Sequence, residues 1–124
     1  MRFALSALAF GVVLLTAAVP GLTADVEAGK MAFKKCELCH STDAAKSNKI
    51  GPSLFGVVGR KSASLDNFSY SEGLQKFDHI WDEETLDLYL ADPRGAVPGT
   101  KMIFPGLRDK VERDNVIAYL ETLK

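Results

Sequence analysis

Two patterns of apolar and polar positions divide the chain. From Phe3 to Val19 the residues are dominated by Ala, Leu, Val and Phe, and no charge occurs from Phe3 to Ala24. Beyond Asp25, apolar residues return at helical spacings separated by long polar stretches. Asp25 is placed to cap a helix through Val26, Ala28, Met31, Ala32 and Phe33 to about Lys35. Residues 41–69 are rich in Gly, Pro, Ser and Asn and read as irregular. Ser71 and Glu72 start a helix of two turns at most. Asp82 is an N-cap candidate with Glu83 and Glu84 in the first turn, ahead of Leu86, Leu88, Tyr89 and Leu90. This helix must end before Pro93. Residues 92–108, with three prolines and three glycines, read as a second long loop. Asp109 and Glu112 resemble a capping box that opens a last helix carrying Val111, Val116, Ile117, Tyr119, Leu120 and Leu123. No run alternates as a strand would, so the fold class is all-α. Three main helices make a thin core for about 100 residues. Loops this long are uncommon unless they serve a function or wrap around something.

The apolar N-terminal run changes the accounting of the chain. Arg2, a charge-free stretch, the breakers Pro20-Gly21 and the exit Leu22-Thr23-Ala24 have the order of a secretory signal peptide. We expect residues 1–24 to be the signal and residues 25–124 the folded domain, with cleavage after Ala18 as the alternative site. The same run, at about 20 apolar residues, is also long enough for an uncleaved membrane anchor. Too few residues follow it to act as a linker to a tethered domain. With 15 basic and 16 acidic side chains overall, loss of Arg2 leaves a net charge of about −2. That balance excludes a generally basic nucleic-acid binder.

Two cysteines, Cys36 and Cys39, are the chain's full complement. A disulfide between them would close so short a loop that it would constrain the unfolded chain little. The segment Cys36-Glu37-Leu38-Cys39-His40 instead has the C-x-x-C-H pattern of covalent haem attachment. Two thiols at this spacing can add across the two vinyl groups of one haem edge, and the next residue then meets the iron. A thioredoxin-like use of C-x-x-C needs a βαβ context, which is missing here. A structural zinc site needs four ligands, and His79 is the one remaining Cys or His in the chain.

With His40 on one side of the iron, the other axial ligand decides the chemistry. A second protein ligand favours electron transfer, whereas an open position favours gas binding or catalysis. Met1 lies in the leader, and Met31 is too close to Cys36 in sequence to reach the opposite haem face easily. Met102 lies in the Pro/Gly-rich loop and is free to cross over. It has two readings at this point, an iron ligand or a filler of gaps in the core. His79, beside Asp78 in a polar loop, is more naturally a surface residue than a rival ligand.

Together these segments resemble the class I cytochromes c, the small type of mitochondria and of the bacterial c-two group, over nearly all of residues 25–124. The resemblance rests on Cys36-to-His40, Gly51-Pro52-Ser53-Leu54, Gly59-Arg60-Lys61, Phe68-Ser69-Tyr70, Trp81, Tyr89-Leu90, Pro98-Gly99-Thr100-Lys101-Met102 and Val116-to-Leu120. It implies a class I cytochrome c fold, with three main helices, a short one and long loops around one covalent haem c. It implies His40 and Met102 as axial ligands and Pro52 as acceptor of the proton on the other nitrogen of His40. Tyr89 would hydrogen-bond the Met102 sulfur. Arg60, Tyr70, Trp81 and Thr100 would surround the haem propionates. Gly29 and Tyr119 would mark the crossing of the first and last helices. Leu74 departs from a position that is often polar in the family.

The implied activity is not enzymatic. It is a monomeric periplasmic one-electron shuttle running from a quinol-oxidising cytochrome complex or a dehydrogenase to a terminal oxidase or photosynthetic reaction centre. Partners would dock transiently at the exposed haem edge, steered by Lys34, Lys35, Lys49 and Lys101, with Lys30 and Lys110 less central. The competing classes are a sensor or catalytic haem protein with a labile sixth position, and a dedicated dehydrogenase subunit.

Overall fold

A computed structural model describes residues 23–124, so the expected signal peptide lies almost wholly outside the described residues. Helix α1 is Val26–Phe33, α2 Glu72–Phe77, α3 Glu83–Ala91, α4 Pro93–Ala96 and α5 Lys110–Glu121. Among the described residues the β structure is one isolated bridge, Lys61 to Ile80. The chain is therefore all-α, as the periodicity predicts.

Caps define the helix starts. The side chains of Asp25, Ser71, Asp82 and Asp109 accept hydrogen bonds from the N–H groups of Ala28, Leu74, Thr85 and Glu112. The capping box at α5 is half formed. Glu112 does not return to the N-cap; its carboxylate takes the ammonium of Lys35 at 2.7 Å. Two boundaries differ from expectation. Helix α1 stops at Phe33, and the chain continues in tight turns through the cysteine motif. Helix α4 interrupts what reads as continuous loop. Asp92 caps it through Gly95 N–H, and Pro93 supplies a preset helical φ at its first position.

Helices α1 and α5 cross at their closest approach where Gly29 lies on Asn115. A Cβ on Gly29 would come 1.9 Å from the Asn115 carbonyl oxygen. Around the crossing, Asp25 N–H donates to Asn115 Oδ1 at 2.8 Å, and the Phe33 and Tyr119 rings pack 5.1 Å apart. The core continues through Trp81, Leu86, Tyr89, Val97, Val116 and Ile117. Several residues on the expected apolar stripes lie outside it: Met31 is 63% exposed, Leu88 63%, Val111 64% and Val26 37%.

Helix α3 is tied to α5 by Arg113, whose Nε donates to Asp87 Oδ1 at 2.8 Å, with Lys110 Nζ 3.6 Å from the same oxygen. The hydrogen bond from Arg113, ahead of the nearby positive charges, holds the Asp87 carboxyl below its ordinary range. A depressed carboxylate contributes stability above its unfolded-chain pKa and loses it as pH falls through the folded value. Wild type is therefore expected to lose more stability than Asp87→Asn as pH is lowered from about 6 to about 3, the unfolded carboxylate titrating near 3.9. Parallel denaturation curves of the two proteins over that range check it.

Candidate functional site

The turn after α1 presents the cysteine motif. Cys36 N–H donates to Phe33 O at 2.7 Å, Cys39 N–H to Cys36 O at 3.1 Å and His40 N–H to Cys36 O at 2.9 Å. Both thiols are half-buried and neither is in a disulfide. Burial pushes the Cys36 thiol up to about 11 against the pull of Lys35, so it is protonated at neutral pH. That is the form that adds sulfur and hydrogen across a double bond.

His40 is oriented by backbone. Its Nδ1 lies 2.7 Å from Pro52 O. A carbonyl can only accept, so Nδ1 carries the proton and Nε2 keeps its lone pair for a metal. Burial disfavours the charged ring, although the Pro52 bond pulls the other way. The loop that brings Pro52 here is sewn to the motif, with Gly51 N–H on Cys39 O at 2.8 Å and Leu54 N–H on Ser41 O at 2.9 Å. Gly51 lies against the imidazole, where a Cβ would fall 2.5 Å from Cε1. Asn48 clips the arrangement from both ends, accepting from Ser53 N–H at 2.8 Å and donating to Asn67 O at 2.8 Å. The resemblance includes Gly51 without assigning it a role, and it leaves out Asn48. A Gly-Pro pair shortly after the motif was the available signal for the first; nothing local marks the second.

Met102 is half-buried and belongs to the same apolar cluster as Cys36, Leu54, Leu74 and Phe104, although 66 residues separate it from Cys36. The Tyr89 hydroxyl pairs with Thr100 Oγ1 at 2.8 Å, and Met102 N–H donates to that same oxygen at 3.4 Å. The hydroxyl thus reaches the backbone of Met102 through Thr100. Thr100 is correspondingly grouped with Tyr89 and Met102.

Arg60 and Trp81 are joined through backbone, with Trp81 N–H on Arg60 O at 2.9 Å, and Tyr70 is close enough to Arg60 to act on its charge. Arg60 donates to Phe55 O at 3.1 Å and Ser53 O at 2.8 Å, which leaves other guanidinium N–H groups for a carboxylate. Trp81 is buried, exchanges backbone bonds with Gly59 and Arg60, and packs on Tyr89 at 5.1 Å. Buried Tyr70 packs edge-on to Phe68, and its hydroxyl accepts from Leu65 N–H. His79 is exposed and stacked at 4.2 Å on Phe77, whose ring in turn packs 5.5 Å from Trp81.

The donor set fits a haem. Two thiols, one imidazole with a free Nε2 and one thioether accompany an apolar cluster. Among the described residues no group of three or more His, Cys, Asp or Glu converges to hold a bare metal ion.

A family model described as cytochrome c matches residues 26–124. The chain belongs to the cytochrome c family. Relatives agree. The cytochrome is 50% identical over 92 residues to cytochrome c2 iso-2 of Magnetospirillum fulvum, covering 74% of this chain and 95% of that one. It is 39% identical over 115 residues to cytochrome c2 of Blastochloris viridis, covering 92% and 91%. Among solved structures it is similar to cytochrome cH from Methylobacterium extorquens, with TM-score 0.75, 44% identity and coverage of 79% of this chain and 98% of that one. The fold is class I, and the cofactor is one covalent haem c with its iron. The protein is an electron carrier.

Proposed function

We propose that this cytochrome is a soluble periplasmic one-electron shuttle whose residues 1–24 are a cleaved signal and whose domain is residues 25–124. In this reading Cys36 and Cys39 hold the haem, and His40 and Met102 occupy both axial positions. The bound haem supplies a one-electron iron couple. The chain's own residues keep the ligands still. Pro52 and Gly51 hold the His40 ring, Tyr89 and Thr100 brace Met102, and Arg60, Tyr70 and Trp81 are assigned to the propionates. Ligands that stay in place favour electron transfer over bond chemistry. The observation that carries the reading is the independent bracing of His40 Nδ1 on Pro52 O and of Met102 through Thr100 and Tyr89. Among the described residues no helix is long and apolar enough to cross a membrane.

The donor is assigned as a quinol-oxidising cytochrome complex or a dehydrogenase, and the acceptor as a terminal oxidase or photosynthetic reaction centre. Docking is transient, through the surface next to the ligands. Leu38, Ile50 and Ile103 are 78%, 83% and 90% exposed there, each within a residue or two of Cys39, Gly51 or Met102. Lys34, Lys35, Lys49 and Lys101 are exposed and supply positive charge. They differ in freedom. Lys35 is paired with Glu112, Lys49 donates to Glu37 O at 2.8 Å, and Lys101 reaches Ser69 O at 3.5 Å.

Steady-state oxidation and reduction with isolated donors and acceptors tests the assignment. Replacing Lys34 and Lys101 together by Glu is expected to slow association about tenfold at low salt and to flatten its dependence on ionic strength. Unchanged rates would remove these lysines from the docking face. Tight carbon monoxide binding by the reduced wild type would replace the shuttle with a sensor or catalytic haem protein. Co-purification with one larger enzyme at physiological salt would favour a dedicated dehydrogenase subunit.

A further inference from the structure

Met102 lies in the segment between α4 and α5, residues 97–109. Two backbone bonds bracket it, Thr100 N–H on Val97 O at 3.1 Å and Leu107 N–H on Leu90 O at 2.7 Å. Between these points Met102 N–H is engaged by the Thr100 side chain. The segment therefore hangs from two anchors. The first, Thr100 on Tyr89, belongs to the site described above.

Arg113 makes the second anchor. Its NH1 donates to Leu107 O at 2.8 Å and to Arg108 O at 3.0 Å, while its Nε donates to Asp87 at 2.8 Å. The Arg113 side chain is 11% exposed and that of Asp87 25%. A planar guanidinium can hold two carbonyls and a carboxylate in one fixed geometry, and an ammonium cannot. Three parts of the fold thus meet at one side chain: α5 supplies it, α3 supplies its counter-charge, and the end of the Met102 segment supplies the carbonyls.

We propose that Arg113 and Asp87 form a latch that holds the C-terminal end of the Met102 segment against α3 and so sets how often Met102 leaves the iron. The proposal rests on the reading of Met102 as the sixth ligand. Arg113 and Asp87 are positioning residues, since neither touches the reacting atoms. Charge-assisted hydrogen bonds are roughly twice as strong as neutral ones. Without the Asp87 charge, Arg113 is a mostly buried cation beside Lys110, and its hold on Leu107 and Arg108 weakens.

Imidazole binding to the ferric holoprotein reads the latch directly. Imidazole takes the position Met102 vacates, so at saturating imidazole the loss of the sulfur–iron charge-transfer band approaches the rate at which the segment opens. Asp87→Asn is expected to raise that limiting rate about tenfold. Arg113→Lys keeps a positive charge near Asp87 but loses the fork, and it should raise the rate several-fold. Glu112→Gln, which breaks the Lys35 pair between the turn after α1 and α5, should leave the rate within about twofold of wild type, because exposed pairs contribute little and this side chain is tied to Lys35 and not to the segment's carbonyls. Denaturation midpoints are measured on the same samples. The latch is overturned if Asp87→Asn and Arg113→Lys both open at the wild-type rate, or if Glu112→Gln speeds opening as much for the same loss of global stability. A wild-type ferric spectrum without the band would overturn the ligand assignment, and the latch with it. A normal band with unchanged variant rates would overturn the latch alone.

Discussion

Met102→Ala is expected to lower the reduction potential by on the order of 0.2 V, part of the roughly 0.8 V range that axial ligands span in haem proteins. A thioether opposite a histidine raises the potential of a cytochrome c. Its removal leaves water or hydroxide to compete for the iron and favours the ferric state. Two further changes should accompany the shift. The sulfur–iron charge-transfer band disappears from the ferric spectrum, and the reduced protein gains the ability to bind carbon monoxide. Met102 is half-buried and packs on the core, as Leu54, Leu74 and Phe104 do, so truncation should also destabilise the fold by about 2 kcal/mol, the low end for a methionine in a core. Redox titration and ferric absorption spectra measure the first two effects, and chemical denaturation the third. An unchanged potential with the band intact would remove Met102 from the coordination sphere.

Gly29→Ala should be the most damaging single methyl group in the helical frame. The added Cβ would lie 1.9 Å from the Asn115 carbonyl oxygen and 2.4 Å from its carbon. Both are backbone atoms inside α5, so no side-chain rotation relieves the clash, and α1 and α5 must move apart. Separation would weaken the Asp25–Asn115 bond and the Phe33–Tyr119 packing together. Alanine is the better helix former by about 1 kcal/mol, which works in the opposite direction. Overpacking against fixed backbone, at about 3 kcal/mol or more, outweighs that gain. A net loss of about 2 kcal/mol corresponds to a fall in Tm of about 10 °C for a domain of about 100 residues. Thermal unfolding of the holoprotein, followed by far-ultraviolet circular dichroism, checks it. A variant as stable as wild type would mean that the helices cross elsewhere.

Local chemistry accounts for what could be read in advance. Asp25, Ser71, Asp82 and Asp109 each cap a helix because an N-cap needs one acceptor within three residues. The cysteine motif was legible for the same reason: its chemistry is confined to five consecutive residues. Helix α4 carried a legible signal in Asp92-Pro93, but the surrounding glycines and prolines outweighed it. The apolar stripes overreached. Leu88 and Val111 share a periodicity with their buried neighbours, yet periodicity gives a direction and not the width of the surface that is covered. Thr100 shows a different limit. The resemblance implies a place for it beside the propionates, and its hydrogen bonds to Tyr89 and to the Met102 N–H are visible only in the fold. Asn48 and Arg113 left no trace, because their partners lie far away in sequence or are backbone carbonyls, which every residue possesses.

By itself the sequence determined the haem attachment, the helical class, the cap positions and the choice of Met102 over Met31 as the candidate ligand. Each follows from spacing within a few residues or from a family motif that is contiguous in the chain. Tertiary structure alone decided that Gly51 would lie against the His40 ring, that Asn115 would be the residue facing Gly29 at the helix crossing, and that Arg113 would join Asp87 to the end of the Met102 segment. These pairings depend on distances of 2 to 3 Å between elements whose approach is set by packing of the whole core. No local pattern of residue types encodes such a distance.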